Sequence, residues 1–306
     1  MALTQISYID KVGTSYTPAE EYCNKEDMNE IKSVTNGVID SLEGIEIKIG
    51  ANAGATGQSG GSVAIGNNAG NSTQGGSSVA VGANAGQTTQ GDNSVAIGVQ
   101  AGQNATGNFN TLVGRFAGQN ATGQQNTCIG NKAGDTLTTE NNTTCLGDNA
   151  QVTASAQIQL GSSITTTYAY GPVQDRSDLR DKADVQNVHL GLDFIDALTP
   201  RSYKFDYRED YREHTEDEEG NLIPDTRTMG ELEHDGTHKR TRLHCGLVAQ
   251  EVKQVMDDLG VDFAGYQDHK LAGGQDVLSI GYGELISPMI KAIQELKAEI
   301  ELLKQA

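Results

Sequence analysis

The sequence predicts a mainly β protein with an α+β carboxy-terminal part: a β-solenoid shaft, then a charged domain that ends in a coiled-coil helix. Three observations carry this. Glycines recur every 16 residues through the first half of the chain. At Ser177 the composition switches from a glycine-rich, almost uncharged repeat to a highly charged stretch. The final segment steps its apolar residues by three and four, the spacing of a coiled-coil seam. With 37 glycines, no tryptophan and 5% aromatic residues, the 306-residue chain is poor material for one large globular core.

Residues 1–44 read as a helical attachment segment. Thr17-Pro18-Ala19-Glu20-Glu21 combines a capping residue, a first-turn proline and acids at the positive end of the helix dipole. Met28, Ile31, Val34, Val38 and Leu42 then recur at helical spacing. The segment either anchors the chain to another protein or caps the first rung of the shaft.

Residues 45–165 form the repeat. Gly50, Gly66, Gly82, Gly98, Gly114 and Gly130 lie 16 apart, and Gly147 follows after 17. Ile49, Ile65, Val81, Ile97, Val113, Ile129 or Leu146 precedes each glycine, and Ile47, Val63, Val79, Val95, Thr111, Thr127 or Thr144 stands two residues earlier. This alternation predicts one short strand per repeat, with that face buried. An alanine follows each glycine by three, from Ala53 to Ala150, and is expected inside as well. Asn52, Asn68, Asn84 and Asn149 suit the left-handed backbone of a tight turn. Ala156–Gly161 returns after 14 residues as an exit rung. One aliphatic and one alanine per rung make a thin core. Ordering costs roughly 1–2 kcal/mol per residue, so several chains are expected to share one core. A slip by a whole repeat would keep every aliphatic in place, so register is expected to come from outside the repeat. Cys128 and Cys145 fall in adjacent slots; a disulfide is conceivable there, but reduced cysteines filling the alanine slot fit better. The pattern resembles the β-roll heads of trimeric autotransporter adhesins, at a period two residues longer, which implies a trimeric shaft.

Residues 166–176 are a junction, and 177–306 form the second domain. Val185, Val188, Leu192, Ile195 and Leu198 predict a helix stopped by Pro200, and Tyr203–Tyr207 alternates like a strand. Residues 208–240 read as a solvated, charged insertion. A helix follows through Met256, and Ile286, Met289, Ile293, Leu296, Ile300 and Leu303 form a seam over about 284–304. That seam specifies an oligomer without fixing the number of strands.

Several functions are excluded by composition. The net charge is −19, and both halves are acidic, so a nucleic-acid partner is not expected. No apolar run of membrane-spanning length and no charged-then-apolar leader is present, so neither membrane insertion nor signal-peptide secretion is expected. The cysteines lack CxxC spacing, His234 and His238 flank Gly236 in loop-like sequence, and the acidic run 216–219 lacks alternating oxygen ligands. No cofactor and no metal is therefore expected. Glycan cleavage needs two placed carboxylates, and between Gly50 and Ala150 the acids are Asp92, Asp135, Glu140 and Asp148 alone.

The string SDLRDK at Ser177–Lys182, CGLVAQEV at Cys245–Val252 and SIGYGELISPMIKAIQEL from Ser279 stand in this order. Together they resemble the intramolecular chaperone domain of bacteriophage tail fibres and tailspikes, over about residues 170–306. The resemblance implies that the domain trimerises a β-structured fibre and then cuts itself off. It implies Ser177 as nucleophile, Lys182 as general base, Arg180 as a site-orienting residue and Arg176–Ser177 as the scissile bond. Asp178 and Glu251 are accessory candidates. The family's asparagine after the lysine is Asp184 here, a carboxylate close enough to raise the base's pKa. By spacing alone SDLRDK also reads as a capped helix start. The expected protein is a homotrimeric virion fibre, spike or appendage. Its amino-terminal segment would meet other virion proteins and its shaft a host receptor or glycan. The alternative is a non-cleaving bacterial or phage surface adhesin that the carboxy-terminal domain only trimerises.

Overall fold

The computed structural model describes residues 46–213, 215–218, 222–223, 225, 227–271 and 273–305. The helical segment expected over residues 1–44 lies outside the described residues.

Eight strands build the shaft: Ile47–Ile49, Val63–Ile65, Val79–Val81, Val95–Ile97, Thr111–Val113, Thr127–Ile129, Thr144–Leu146 and Ile158–Leu160. They pair in parallel as one sheet in sequence order, each residue opposite its equivalent one repeat on. A second, two-stranded ladder pairs Thr73–Gln74 with Thr89–Gln90. The glycine after each strand is what lets the coil close. Gly66, Gly82, Gly98, Gly114 and Gly130 have φ between +130° and +140°. A Cβ on Gly82 would stand 2.5 Å from the carbonyl oxygen of Gly98 in the next rung. The turn column Asn52, Asn68, Asn84 and Asn149 has φ near +55°, as expected, and Asn68 donates to the Asn84 carboxamide at 3.1 Å.

The interior reverses one expectation. In the six strands between the first and the last, the middle residue points inward: Ala64, Ala80, Ala96, Leu112, Cys128 and Cys145 are buried. They meet the alanines from Ala53 to Ala150. The two aliphatic columns flanking them face outward, half-buried or exposed. The middle column faces the turn alanines, so the strand's alternation turns the flanking columns the other way; the interior itself takes Leu112 and Leu137 as well as alanine. Cys128 and Cys145 are free, buried and in register. Their mutual contact and burial push the Cys128 thiol far up, so it acts as a neutral filler.

The interior also changes character along the shaft. Beside Gly54, Gly70 and Gly86 the space is filled by the carboxamides of Gln58, Gln74 and Gln90. Gln74 Nε2 donates to the Val63 carbonyl at 2.8 Å and to Gln90 Oε1 at 3.1 Å. Beside Gly102, Gly118 and Gly134 it is filled by Leu112, Ala105, Cys128 and Leu137. A slip by one repeat would press a glutamine amide against leucine, at about 1–3 kcal/mol for an unmet buried group. Register is therefore partly written inside the repeat, contrary to the expectation.

The second domain is built on one apolar cluster: Leu190, Phe194, Val252, Met256, Phe263 and Leu285. Helix α1, Leu192–Ala197, supplies Phe194, whose ring stands 5.3 Å from that of Phe263. Helix α2, Ala249–Leu259, supplies Val252 and Met256 and stops at Gly260, which takes the left-handed conformation of a helix end. Helix α3, Ile286–Gln305, follows a 3-10 turn, and its Glu295 accepts the Leu192 amide at 2.7 Å, capping α1. The short antiparallel pairs Arg201–Tyr203 with His244–Gly246 and Tyr266–Asp268 with Leu278–Ile280 complete it. The seam residues of α3 are exposed, Ile293 at 66% and Leu303 at 76%.

Three expectations are corrected here. The helix expected from Val185 to Leu198 spans only α1; Val185 and Val188 are exposed in irregular chain, where Asp184 has φ +50°. The strand expected over Tyr203–Tyr207 ends at Tyr203, beyond which Phe205 stacks on Tyr207 with centroids 4.7 Å apart. The insertion 208–240 is not wholly solvated: Met229 and Leu232 are buried, and Glu209 to Arg212 meet the last rungs of the shaft.

Gly82→Ala is expected to lower the apparent melting temperature of the shaft, since it combines a backbone clash with a conformation costing about 1–3 kcal/mol. Asn84→Gly, two residues on, is expected to change it little. Thermal scans by circular dichroism check the pair; equal melting temperatures for Gly82→Ala and the wild type would refute the glycine argument.

Candidate functional site

Ser177 to Lys182 forms one compact turn. Asp178 accepts the Arg180 amide at 2.9 Å and so caps a 3-10 helix over Leu179–Asp181. The cap is Asp178, not Ser177 at the head of the SDLRDK string. Arg180 folds back onto the same carboxylate, Nη2 to Oδ2 at 2.6 Å. That pairing holds the Asp178 carboxyl below its usual range. Arg176 pairs with Asp181 at 3.4 Å, across the bond that precedes Ser177. The turn returns the chain so that Lys182 Nζ donates to Ser177 Oγ at 2.7 Å. Five residues separate the two, and the capped turn is what brings them together.

The turn is solvated within one chain. The side chains of Arg176 and Arg180 are 85% and 87% exposed, and Leu179 and Val185 on either side are also exposed. Glu251 lies on α2, where Arg201 holds it through Nη2 to Oε1 at 2.8 Å. Among the described residues its hydrogen-bond partner is Arg201, not Ser177 or Lys182. Arg180 orients Asp178 rather than either member of the pair. Among the described residues no cluster of three His, Cys, Asp or Glu side chains is placed to hold a metal. His234 pairs with Asp206 at 3.2 Å, while His238 meets the Tyr211 ring edge-on.

A second polar assembly, which sequence reasoning missed, joins the domain to the end of the shaft. The Gln275 amide donates to the Thr153 carbonyl at 2.6 Å, and Gly274 lies against Thr153 and Ala154 too closely to carry a Cβ. His269 bridges Thr153 at 2.5 Å and Ser279 at 3.0 Å. Arg240 holds Asp210 and Ser163 together. Gln151 donates to Asp135 at 2.6 Å inside the shaft. A cleft of about 290 Å³ lies among these groups, lined by Gln151, Ser163, Glu209, Arg212, His238 and Arg240. Burial pushes the Glu209 carboxyl up to about 7, aided by Asp210 and Asp135 and opposed by Arg212. Burial likewise raises Asp135 to about 6, against Lys132, Gln151 and Arg212. The signal that could have found this assembly is the run of charges between two short aromatic segments, which reads equally well as a solvated loop.

A glycine-coiled shaft whose last rung is held by a small α+β domain, with a serine–lysine turn at their junction and an exposed helical seam at the end, defines a shaft with a carboxy-terminal assembly domain. Residues 177–261 match the family model described as chaperone of endosialidase. The match opens at Ser177 itself. Residues 177–261 thus form a domain of the endosialidase-chaperone type, a self-cleaving serine peptidase family, preceded by a β-solenoid, a combination typical of phage tail fibre and tailspike proteins. Such a domain carries trimer assembly and autocleavage in a phage fibre-type protein. No curated protein and no solved structure matches the chain. Among the described residues no helix is long and apolar enough to cross a membrane.

The raised Glu209 carboxyl sets a pH dependence for the junction. It binds its proton more tightly when docked than when free, so protonation favours docking. As pH rises from about 4.5 towards 7, the undocked Glu209 ionises first and docking weakens; above about 7 both states are ionised and its contribution levels off. In a Ser177→Ala chain, amide exchange at Thr153 and Gln275, corrected for intrinsic rates, is expected to be faster at about pH 8 than at about pH 5.5. Glu209→Gln is expected to flatten the difference. A wild-type difference that survives Glu209→Gln assigns the dependence elsewhere.

Proposed function

We propose that this chain is a virion fibre, spike or appendage protein whose domain 177–306 gathers three chains, folds the shaft 45–165 and then releases itself by cutting Arg176–Ser177. The observation that carries the cut is the 2.7 Å contact between Lys182 Nζ and Ser177 Oγ at the first residue of the matched domain. A serine hydroxyl is a weak nucleophile until a base takes its proton. Lys182 serves as that base once it is neutral. In this reading Ser177 Oγ attacks the Arg176 carbonyl carbon through a five-membered ring, since nucleophile and scissile amide belong to one residue. The C–N bond breaks, the Ser177 amine leaves with a proton, and an ester joins Arg176 to Oγ. Water then cleaves the ester, giving the Arg176 carboxylate and a free Ser177.

A lysine in water stays an ammonium and cannot accept the proton. Desolvation lowers its pKa, and neighbouring chains covering Leu179 and Val185 would supply it. The cut would then wait for assembly. Arg180 and Asp178 shape the turn in this scheme, and Glu251 remains an accessory candidate only if a neighbouring chain brings it close. Asp184 keeps the left-handed conformation that the family's asparagine would also favour. Host recognition falls to the polar turns of the shaft, where Asn, Gln and Thr side chains form ladders between rungs. Attachment to the rest of the virion falls to residues 1–44. The adhesin reading survives only if the chain assembles without being cut.

Expression of the wild type is expected to give fragments 1–176 and 177–306, and Ser177→Ala or Lys182→Met the intact 32.4 kDa chain. Intact mass spectrometry decides it; a wild type that assembles uncut refutes the peptidase assignment and keeps the chaperone.

Fragment 1–176 released from the full chain is expected to be soluble and heat-resistant, and the same fragment expressed alone to aggregate. Unaided assembly of the separately expressed fragment into the same heat-resistant oligomer would remove the chaperone role.

A further inference from the structure

Among the described residues the outward face of the eight-stranded sheet has no partner within the chain, and we propose that it is the surface through which the three copies meet, parallel and in register. This rests on the trimeric reading above and assigns the side of the rung that closes the trimer. The two outward columns of side chains run the length of the sheet. They contain Ile, Val and Leu throughout, except for Thr111, Thr127 and Thr144, and no charged residue. Ile49 is 58% exposed, Ile129 44% and Leu160 47%. Eight strands about 4.8 Å apart, each about 10 Å long, make a flat apolar patch of roughly 340 Å². That is the size at which the largest patch on a monomer is a functional surface.

The occupant is a second copy of this chain, for three reasons. A face ridged every 4.8 Å or so over eight rows is matched best by a face with the same period. The chain carries a net charge of −19, so like chains approach most easily where neither has charge. The threonines settle direction: they occupy three successive rows near one end, and among arrangements that overlap all eight rows only the parallel, in-register one sets Thr rows against Thr rows. Antiparallel approach, or a shift of three rows, would press their hydroxyls against Val and Ile. The exposed seam of α3 agrees, because chains joined at one end by a parallel helix bundle present their sheets in one direction. A three-fold axis beside the sheet closes the arrangement without an open edge.

The test is self cross-linking of one row. In a Cys23→Ser, Cys245→Ser background, Val95→Cys, Ile97→Cys and the turn-side control Asn84→Cys are each oxidised after light scattering has fixed the number of chains. A residue reaches its own equivalent only where the same row meets the same row. The expected result is a covalent shaft dimer on a non-reducing denaturing gel for Val95→Cys or Ile97→Cys, lost on reduction, and none for Asn84→Cys. A trimer with no cross-link at either outward column, or with one at Asn84→Cys, overturns the proposed face and leaves the trimer standing. A monomeric wild type overturns the trimeric reading and the face with it.

Discussion

The stacking of glycine on glycine is the constraint from which the rest of the shaft follows. At Gly66, Gly82, Gly98 and Gly114 the backbone takes a conformation open mainly to glycine, and each rung rests its carbonyl where a Cβ would be. This lets a coil of 16 residues close with rungs in backbone contact. It also sets the interior width. Alanine-on-alanine packing fills such a rung but buries little area, at about 25 cal/mol per Å² of apolar surface. The aliphatic columns that flank the alanine column are turned out by the strand's alternation. A chain built this way is short of core by itself and carries on its surface the material to make one with others.

The two kinds of contact in the molecule suit two lifetimes. The outward face of the shaft is apolar and periodic, the type of surface that holds once water has left it. The junction between shaft and second domain is polar: Thr153, Ser163 and Gln151 against Gln275, Asp210, Arg212 and His269. Each such hydrogen bond replaces one to water and contributes only about 0.5–1.5 kcal/mol net. An element that must dock accurately and then depart is better served by many directional, exchangeable contacts than by an apolar seal. Gly274 against Ala154 adds shape without adhesion.

Much of this was legible in the sequence, for identifiable reasons. The strand positions, the glycine columns and the left-handed asparagines follow from a strict period, and a period is the strongest signal a sequence carries. The pairing of Ser177 with Lys182 came from the family resemblance, since by spacing alone SDLRDK reads as a capped helix start. The direction in which the strands face was not, since alternation distinguishes two faces without saying which is inside. Here the inside was decided by which column faces the turn alanines, a three-dimensional relation. The helix over Val185–Leu198 failed because apolar spacing at Val185 and Val188 continued past the point where the backbone could follow. The junction was missed because charges at Glu209, Asp210 and Arg212 carry the same pattern whether they face water or the end of a shaft.

The interior change from Gln74 and Gln90 to Leu112 and Leu137 bears on why a chaperone is still needed. It penalises slips that cross the boundary between the two halves by about 1–3 kcal/mol for each misplaced amide. Within the lower half, Leu112 and Cys128 are close enough in character that a slip costs less. Intrachain register is thus specified coarsely from within and completed at the last rung, where Thr153 and Ala154 meet Gln275 and Gly274. In the proposed trimer the same logic holds between chains, with the threonine rows as the coarse mark and the helix seam as the device that would bring chains together. Tethering raises effective concentration to the millimolar range for short links. Cutting the tether removes that advantage for any chain that later leaves, so the assembled shaft persists through its barrier to unfolding rather than through an equilibrium it could re-establish.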